Sequence, residues 1–225
     1  MYKDMTMINN TSGKSTFFVA ISSLIIAMVI ALSGFAEAGE AKSASSPPAQ
    51  FVQRLGDTTL MSLTAKNVSR ATREERVRKI LRNNFDVPAI GRFAMGTYWK
   101  DASEAQRKEY MVLFEDMIVQ TYTTRFEDYS GQILKVDGSI ASGAKDSIVS
   151  SQVLQKDGPP VNLEWRVRDK ENVLRIVDVV VEGVSMSVTQ RSDFAAVIQR
   201  GGGSIDALLT SLREHSKKMS PHQKT

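Results

Sequence analysis

The sequence has no cysteine and only two histidines, His215 and His222, both within the last eleven of its 225 residues. Without cysteine there is no disulfide framework, no thiol nucleophile, no zinc finger and no lipidated N-terminal Cys. With both histidines in a terminal stretch expected to be loose, His-based acid–base triads and most His metal sites drop out as well. A chain so poor in catalytic side chains favours binding or carriage. The remaining composition, 42% hydrophobic and 24% charged with a net charge of +4, is that of a folded chain. Its length suits one domain with a sizeable core and a short appendage.

The appendage is N-terminal. Lys3 and Lys14 give a basic start, Phe17 to Leu32 are apolar except for Ser22 and Ser23, and Ala36-Glu37-Ala38 forms a small-x-small site. That pattern predicts a secretory signal peptide over residues 1–38, cleaved near Ala38, because the apolar run is short for a spanning helix. An uncleaved anchor is the alternative. Cleavage removes two bases (Lys3, Lys14) and two acids (Asp4, Glu37), so 187 residues keep the charge of +4. A secreted chain without cysteine fits a soluble periplasmic protein. Gly13-Lys14-Ser15 resembles the end of a phosphate-binding loop, but Ile8 stands where its first glycine belongs.

Residues 39–50, small, polar and proline-bearing, read as a linker, 51–218 as the folded domain and 219–225 as a flexible tail. Helical spacing begins at Phe51. Thr72-x-x-Glu75 predicts the start of a charged helix, Asp86 before Val87-Pro88 a short one, and Ser103-x-x-Gln106 the longest, to about Asp128. After Gly131 the period changes to four strands, 132–141, 146–156, 161–169 and 173–182. The third alternates Val161, Leu163, Trp165 and Val167 with Asn162, Glu164, Arg166 and Arg168, so one face is buried and the other wet. Helices over 188–200 and from 205 to about 217, divided by Gly201-Gly202-Gly203, close the chain. The predicted fold is α+β: a four-stranded antiparallel meander with several helices on one face.

Enzyme templates fail in turn. Glu182 to Ser187 resembles a nucleophile elbow but has Ser187 in place of the final glycine, and reads as a strand-to-helix turn. The triple glycine lacks phosphate-loop spacing and reads as a helix stop. Acidic pairs such as Glu74-Glu75 and Glu115-Asp116 fall on charged helix faces, where they serve solubility more often than acid–base work. No calcium loop is present. The basic run Arg70, Arg73, Arg76, Arg78, Lys79 and Arg82 is interleaved with Glu74 and Glu75. It reads as a solvated helix, or else as an attraction to anionic headgroups or an acidic partner; nucleic acid is not expected.

The aromatics are concentrated. Of the twelve Phe, Trp and Tyr beyond residue 38, nine lie between Phe85 and Tyr129. At helical spacing they form either a filled core or the wall of an apolar pocket.

Several segments carry a resemblance. They are Asn84-Phe85-Asp86-Val87-Pro88-Ala89-Ile90-Gly91-Arg92-Phe93, Met95-Gly96-Thr97-Tyr98-Trp99, Glu109-Tyr110 through Phe114, and Thr121-Tyr122. Tyr129-Ser130-Gly131, Val177 through Met186, and Gln190-Arg191-Ser192-Asp193-Phe194 complete the series. In this order, from about Phe51 to Leu212, they resemble the periplasmic lipid-binding component of the maintenance-of-lipid-asymmetry ABC transport system, the toluene-tolerance family. The run from Val181 to Arg191 is similar to the branch encoded beside hopanoid-biosynthesis genes, which keeps Gln190 where other members often have Tyr.

The resemblance implies a monomeric carrier, without cofactor or catalysis, that holds lipid tails in an apolar pocket between helices and sheet. It implies phospholipid, or a hopanoid, as cargo. An inner-membrane ABC transporter complex and an outer-membrane lipoprotein complex are the implied partners. Pocket-lining candidates are Phe93, Met95, Trp99, Phe114, Ile118, Tyr122, Phe126, Trp165, Val184 and Met186, with Arg125 and Arg191 at the mouth for a headgroup. A non-transport adaptor with the same fold is the alternative. An enzyme acting on envelope lipid is disfavoured by the missing Cys and fold-embedded His.

Overall fold

Ser46, Pro47 and Pro48 start the first helix. The Ser46 hydroxyl accepts the Ala49 N–H at 3.3 Å, and two prolines lose nothing in a first turn whose N–H groups have no intrahelical acceptor. Helix α1 (Pro47–Leu63) therefore begins inside the stretch read as a linker to residue 50. The computed structural model describes residues 42–63, 68–127, 129 and 131–219. The signal peptide expected over 1–38, its cleavage near Ala38, and residues 220–225 of the expected tail lie outside them.

Helix α2 (Arg70–Asn84) starts earlier than its Thr72-x-x-Glu75 box suggests, because the Ser69 hydroxyl caps it by accepting the Thr72 N–H. Helix α3 (Val87–Met95) is capped by Asp86. One further turn, α4 (Tyr98–Asp101), has no sequence signal of its own. Helix α5 (Glu104–Glu127) opens on the predicted capping box: Gln106 N–H donates to Ser103 Oγ and Ser103 N–H to Gln106 Oε1. Helices α6 (Met186–Arg200) and α7 (Ile205–Met219) close the described chain, α7 reaching the first residue of the expected tail.

The strands β1 (Ile133–Ser142), β2 (Asp146–Leu154), β3 (Val161–Lys170) and β4 (Val173–Val181) form the predicted antiparallel meander. The sheet has five strands among the described residues, not four. The fifth, β5 (Val184–Ser185), folds back on Val180 and Val181 after a turn in which Glu182 and Gly183 have φ of 48° and 80°. Two residues beside a turn leave no period to read. Asp178 then holds the entry to α6: its carboxylate accepts the Ser185 hydroxyl at 2.6 Å and the Ser187 N–H at 3.0 Å. The elbow-like segment is thus a strand–turn–helix junction.

The strand register places Val149 opposite Trp165 and Trp165 opposite Val179. This face meets α1, where Val149, Val167 and Ile176 pack with Ala49, Val52 and Leu55 in one core. A second core lies among the helices and includes Met95, Tyr110, Phe114, Phe194, Ile198 and Leu208. Among the described residues, only Ile80 and Phe85 pack against both. At this join Phe85 bridges to Ile176, and the Asp86 N–H donates to the Ile176 carbonyl at 2.9 Å.

The basic run on α2 faces its own fold. Arg78 pairs with Glu115 at 2.5 Å and Asp116 at 2.7 Å, and Arg82 pairs with Glu115 at 2.8 Å. Arg76 donates to the Ser62 carbonyl, and Arg70 to Thr124 and the Met219 carbonyl. These guanidiniums clamp α2 to α1, α5 and α7, so neither a wholly solvated helix nor a headgroup patch describes them. The acids Glu115 and Asp116 likewise complete a clamp.

Candidate functional site

Helix α5 carries an aromatic and aliphatic line at four-residue steps: Tyr110, Phe114, Ile118, Tyr122 and Phe126. Its depth changes along the helix. Tyr110 and Phe114 are 0% and 1% exposed, Ile118 is half-buried, Tyr122 is 44% exposed and Phe126 is half-buried. The change follows from what covers the line. Near its start Tyr110 stacks on Phe114 with ring centroids 5.6 Å apart, and Phe194 of α6 meets both edge-on at 5.9 and 6.1 Å. Farther along, Tyr122 belongs to neither core.

The sheet shows a matching gradient. Val149, Val167 and Ile176 are sealed under α1, whereas Trp165, Leu163, Val153, Val161 and Val181 stay half-buried. Trp165 is fixed by its Nε1–H, which donates to Ser151 Oγ at 2.8 Å. Apolar side chains thus stay half-buried at the margin of each core.

The candidate residues fall into distinct places. Met95 and Phe114, each 1% exposed, are sealed within the helical core. Trp99 is half-buried at the α4–α5 corner, edge-on to Tyr110, with Arg107 over its ring and donating to its carbonyl. Ile118 and Phe126 pack half-buried on the helical core, and Trp165 on the sheet core. Met186 is half-buried at the start of α6, and Val184 on β5 is 53% exposed. Arg125 is exposed beside the outer end of the α5 line. Phe93, 42% exposed, lies under the Arg191 guanidinium at 5.4 Å from its ring centroid. The candidates thus divide between the two cores and more exposed positions.

Residue-by-residue reading missed Phe194, Ile80 and Phe85. The spacing of Ser187, Phe194 and Ile198 on one face of α6 is the signal for Phe194. Ile80 and Phe85 had none, since joining two cores is not a periodic property.

Two recesses stand out among the described residues. One, about 140 Å³, lies between α3 and α6 against Met95, Gly96, Thr97, Tyr98, Arg191, Ala195 and Gln199. The other, about 230 Å³, lies between α1 and β1 and includes Ala49, Arg54 and Val136 in its wall. Both are smaller than the roughly 300–1,000 Å³ of ordinary ligand pockets. Among the described residues no three His, Cys, Asp or Glu converge as a metal site, and no helix is long and apolar enough to cross a membrane.

The described residues thus form an antiparallel sheet with helices packed on one face and two apolar cores. The chain belongs to the MlaC protein family, whose model matches residues 53–214. It is 24% identical over 183 residues, 78% of this chain and 85% of the relative, to the intermembrane phospholipid transport system binding protein MlaC of Haemophilus influenzae. It is 23% identical over 109 residues, 48% of this chain and 51% of the relative, to the toluene tolerance protein ttg2D of Pseudomonas putida. The fold matches the phospholipid-binding protein of Ralstonia solanacearum, solved in complex with a phospholipid. The TM-score is 0.66 at 23% identity, covering 76% of this chain and 97% of that one.

Proposed function

We propose that this chain is a periplasmic phospholipid carrier, released from its signal peptide near Ala38, that holds acyl chains along the seam between the helical and sheet cores. One observation carries the reading: among the described residues the two cores share only Ile80 and Phe85, and each leaves apolar side chains half-buried at its margin. Ile118, Tyr122 and Phe126 would line the helical flank and Trp165 the sheet flank, with Phe93, Val184 and Met186 at the α3–α6 end. Met95, Trp99 and Phe114 would back the slot from the helical core. Arg125 and Arg191 would stand at its mouths. The named activities of the relatives support the same reading.

The physics suits a chain without a nucleophile. Each buried methylene is worth about 0.8 kcal/mol, so two acyl chains forfeit on the order of 20 kcal/mol of burial on entering water. A carrier has only to replace that burial, and net affinity stays far below the gross figure because the lipid starts in an equally apolar bilayer. No bond is made, so neither cofactor nor catalyst is needed. Direction would come from a partner inner-membrane ABC transporter complex, and delivery would involve an outer-membrane lipoprotein complex.

Mass spectrometry of an organic extract of the chain, purified from the periplasm without detergent, tests the reading. About one phospholipid per chain is expected. A hopanoid in its place would change the cargo but keep the carrier, and a lipid-free extract would end it.

A further inference from the structure

Arg191 is held in an unusual position for a surface arginine. Its guanidinium carbon lies over the Phe93 ring at 5.4 Å from the centroid, a cation–π contact that restrains the group. The side chain also passes close to Gly96, whose φ is +61°; a Cβ there would come within 3.0 Å of Arg191 Nε. Only glycine accepts that backbone without strain and leaves the side chain its path. Yet among the described residues Arg191 makes no ion pair, in contrast to the paired Arg78, Arg82, Arg168 and Arg213. The guanidinium borders the 140 Å³ recess together with Thr97, Tyr98 and Gln199, so hydroxyl and amide groups share the wall with the cation.

A fixed guanidinium with unused donors, beside a small recess bordered by hydroxyls and no paired carboxylate, suits a tetrahedral oxyanion. We infer that the α3–α6 recess is a subsite for a phosphate group, with Arg191 as its charge-bearing donor and Thr97 as a flanking hydroxyl. Phe93 and Gly96 act by positioning Arg191. The phosphate is that of a lipid headgroup or free inorganic phosphate. The headgroup form rests on the carrier reading; the subsite itself does not.

The test uses the mature chain, stripped of lipid and refolded, and its Arg191→Gln and Thr97→Val variants, each first checked for an unchanged unfolding midpoint. Loading from phosphatidylglycerol vesicles is compared with loading from vesicles doped with diacylglycerol, which has similar chains and no phosphate. Binding of inorganic phosphate is followed by ³¹P line broadening. Arg191→Gln is expected to lower phosphatidylglycerol loading about tenfold, the loss typical of one charge-assisted contact, and to leave diacylglycerol loading unchanged. Thr97→Val should lower it less. If neither lipid loads, the carrier reading fails, and Arg191-dependent broadening by phosphate alone would assign the subsite to the free ion. If neither phospholipid loading nor phosphate broadening responds to Arg191→Gln, the subsite is overturned while a carrier reading supported by loading survives.

Discussion

The hydroxyl of Tyr110 on α5 donates to the carbonyl oxygen of Gly91 on α3 at 2.8 Å, and the tyrosine is fully buried. Burial pushes its phenol well above the ordinary range, so it stays a neutral donor. Gly91 permits the approach: a Cβ there would meet Met111 Sδ at 2.9 Å and Phe114 at 3.1 Å. Tyr110→Phe is therefore expected to cost about 1–2 kcal/mol, because a buried carbonyl loses its donor while the ring packing remains. Urea unfolding at neutral pH checks it, and an unchanged midpoint would show that the contact contributes little.

Ile118 stands where the α5 line passes from sealed to open. Ile118→Trp adds bulk to the proposed slot and should lower vesicle-to-protein phospholipid loading by at least about fivefold, since overpacking a loaded slot costs about 1–3 kcal/mol. Val112, 58% exposed on the same helix, is the control: Val112→Trp should load normally. Equal loading by both variants would move the slot away from Ile118. A protein-binding adaptor of the same fold would be indifferent to either change.

Gln190 lies on α6 between the buried Ser187 and Phe194, and its Nε2 is buried with no acceptor among the described residues. Gln190→Leu removes an unsatisfied donor and keeps most of the volume, so stability should rise by about 1 kcal/mol. Thermal unfolding of the lipid-free chain measures this. A fall in Tm instead would mean that the amide finds a partner in solution.

Glu115 links α5 to α2. Burial opposes its ionisation, but hydrogen bonds and charge from Arg82 and Arg78 prevail and hold its carboxyl below the usual glutamate range. A carboxyl depressed in the folded state stabilises fully above its unfolded pKa, and that share is lost as pH falls through the folded value. Unfolding midpoints between about pH 6 and pH 3 should thus fall more steeply for the native chain than for Glu115→Gln. Parallel profiles would remove Glu115 from the acid response.

Much of the fold was legible because the signals are local. Asp86 before Val87-Pro88 and the Ser103–Gln106 box act within one helical turn, and the alternation from Val161 to Val167 acts within one strand. Where such signals overlapped, boundaries moved: Ser69 took the cap from Thr72, and Ser46 with its two prolines brought the helix start forward. β5 was invisible because its pairing depends on the Glu182-Gly183 turn rather than on a run of residues. The candidate site was less legible. Phe114 and Tyr122 share one stripe eight residues apart, yet one is sealed and the other open, because Phe194 covers only the first.

The sequence alone determined which residues are apolar, how they recur, where most helices and strands lie, and that Cys is absent. Each of these is set by composition or by contacts within a few residues. It did not place His215, expected in a loose tail, which is half-buried within α7. Only the tertiary structure decided that Arg78 and Arg82 of the basic helix pair with Glu115 and Asp116, that the apolar side chains divide into two cores, and that Arg191 lies against Phe93 and Gly96 with no ion pair among the described residues. Depth and pairing depend on which distant element arrives to cover a face, and a helical period records the face without recording its cover.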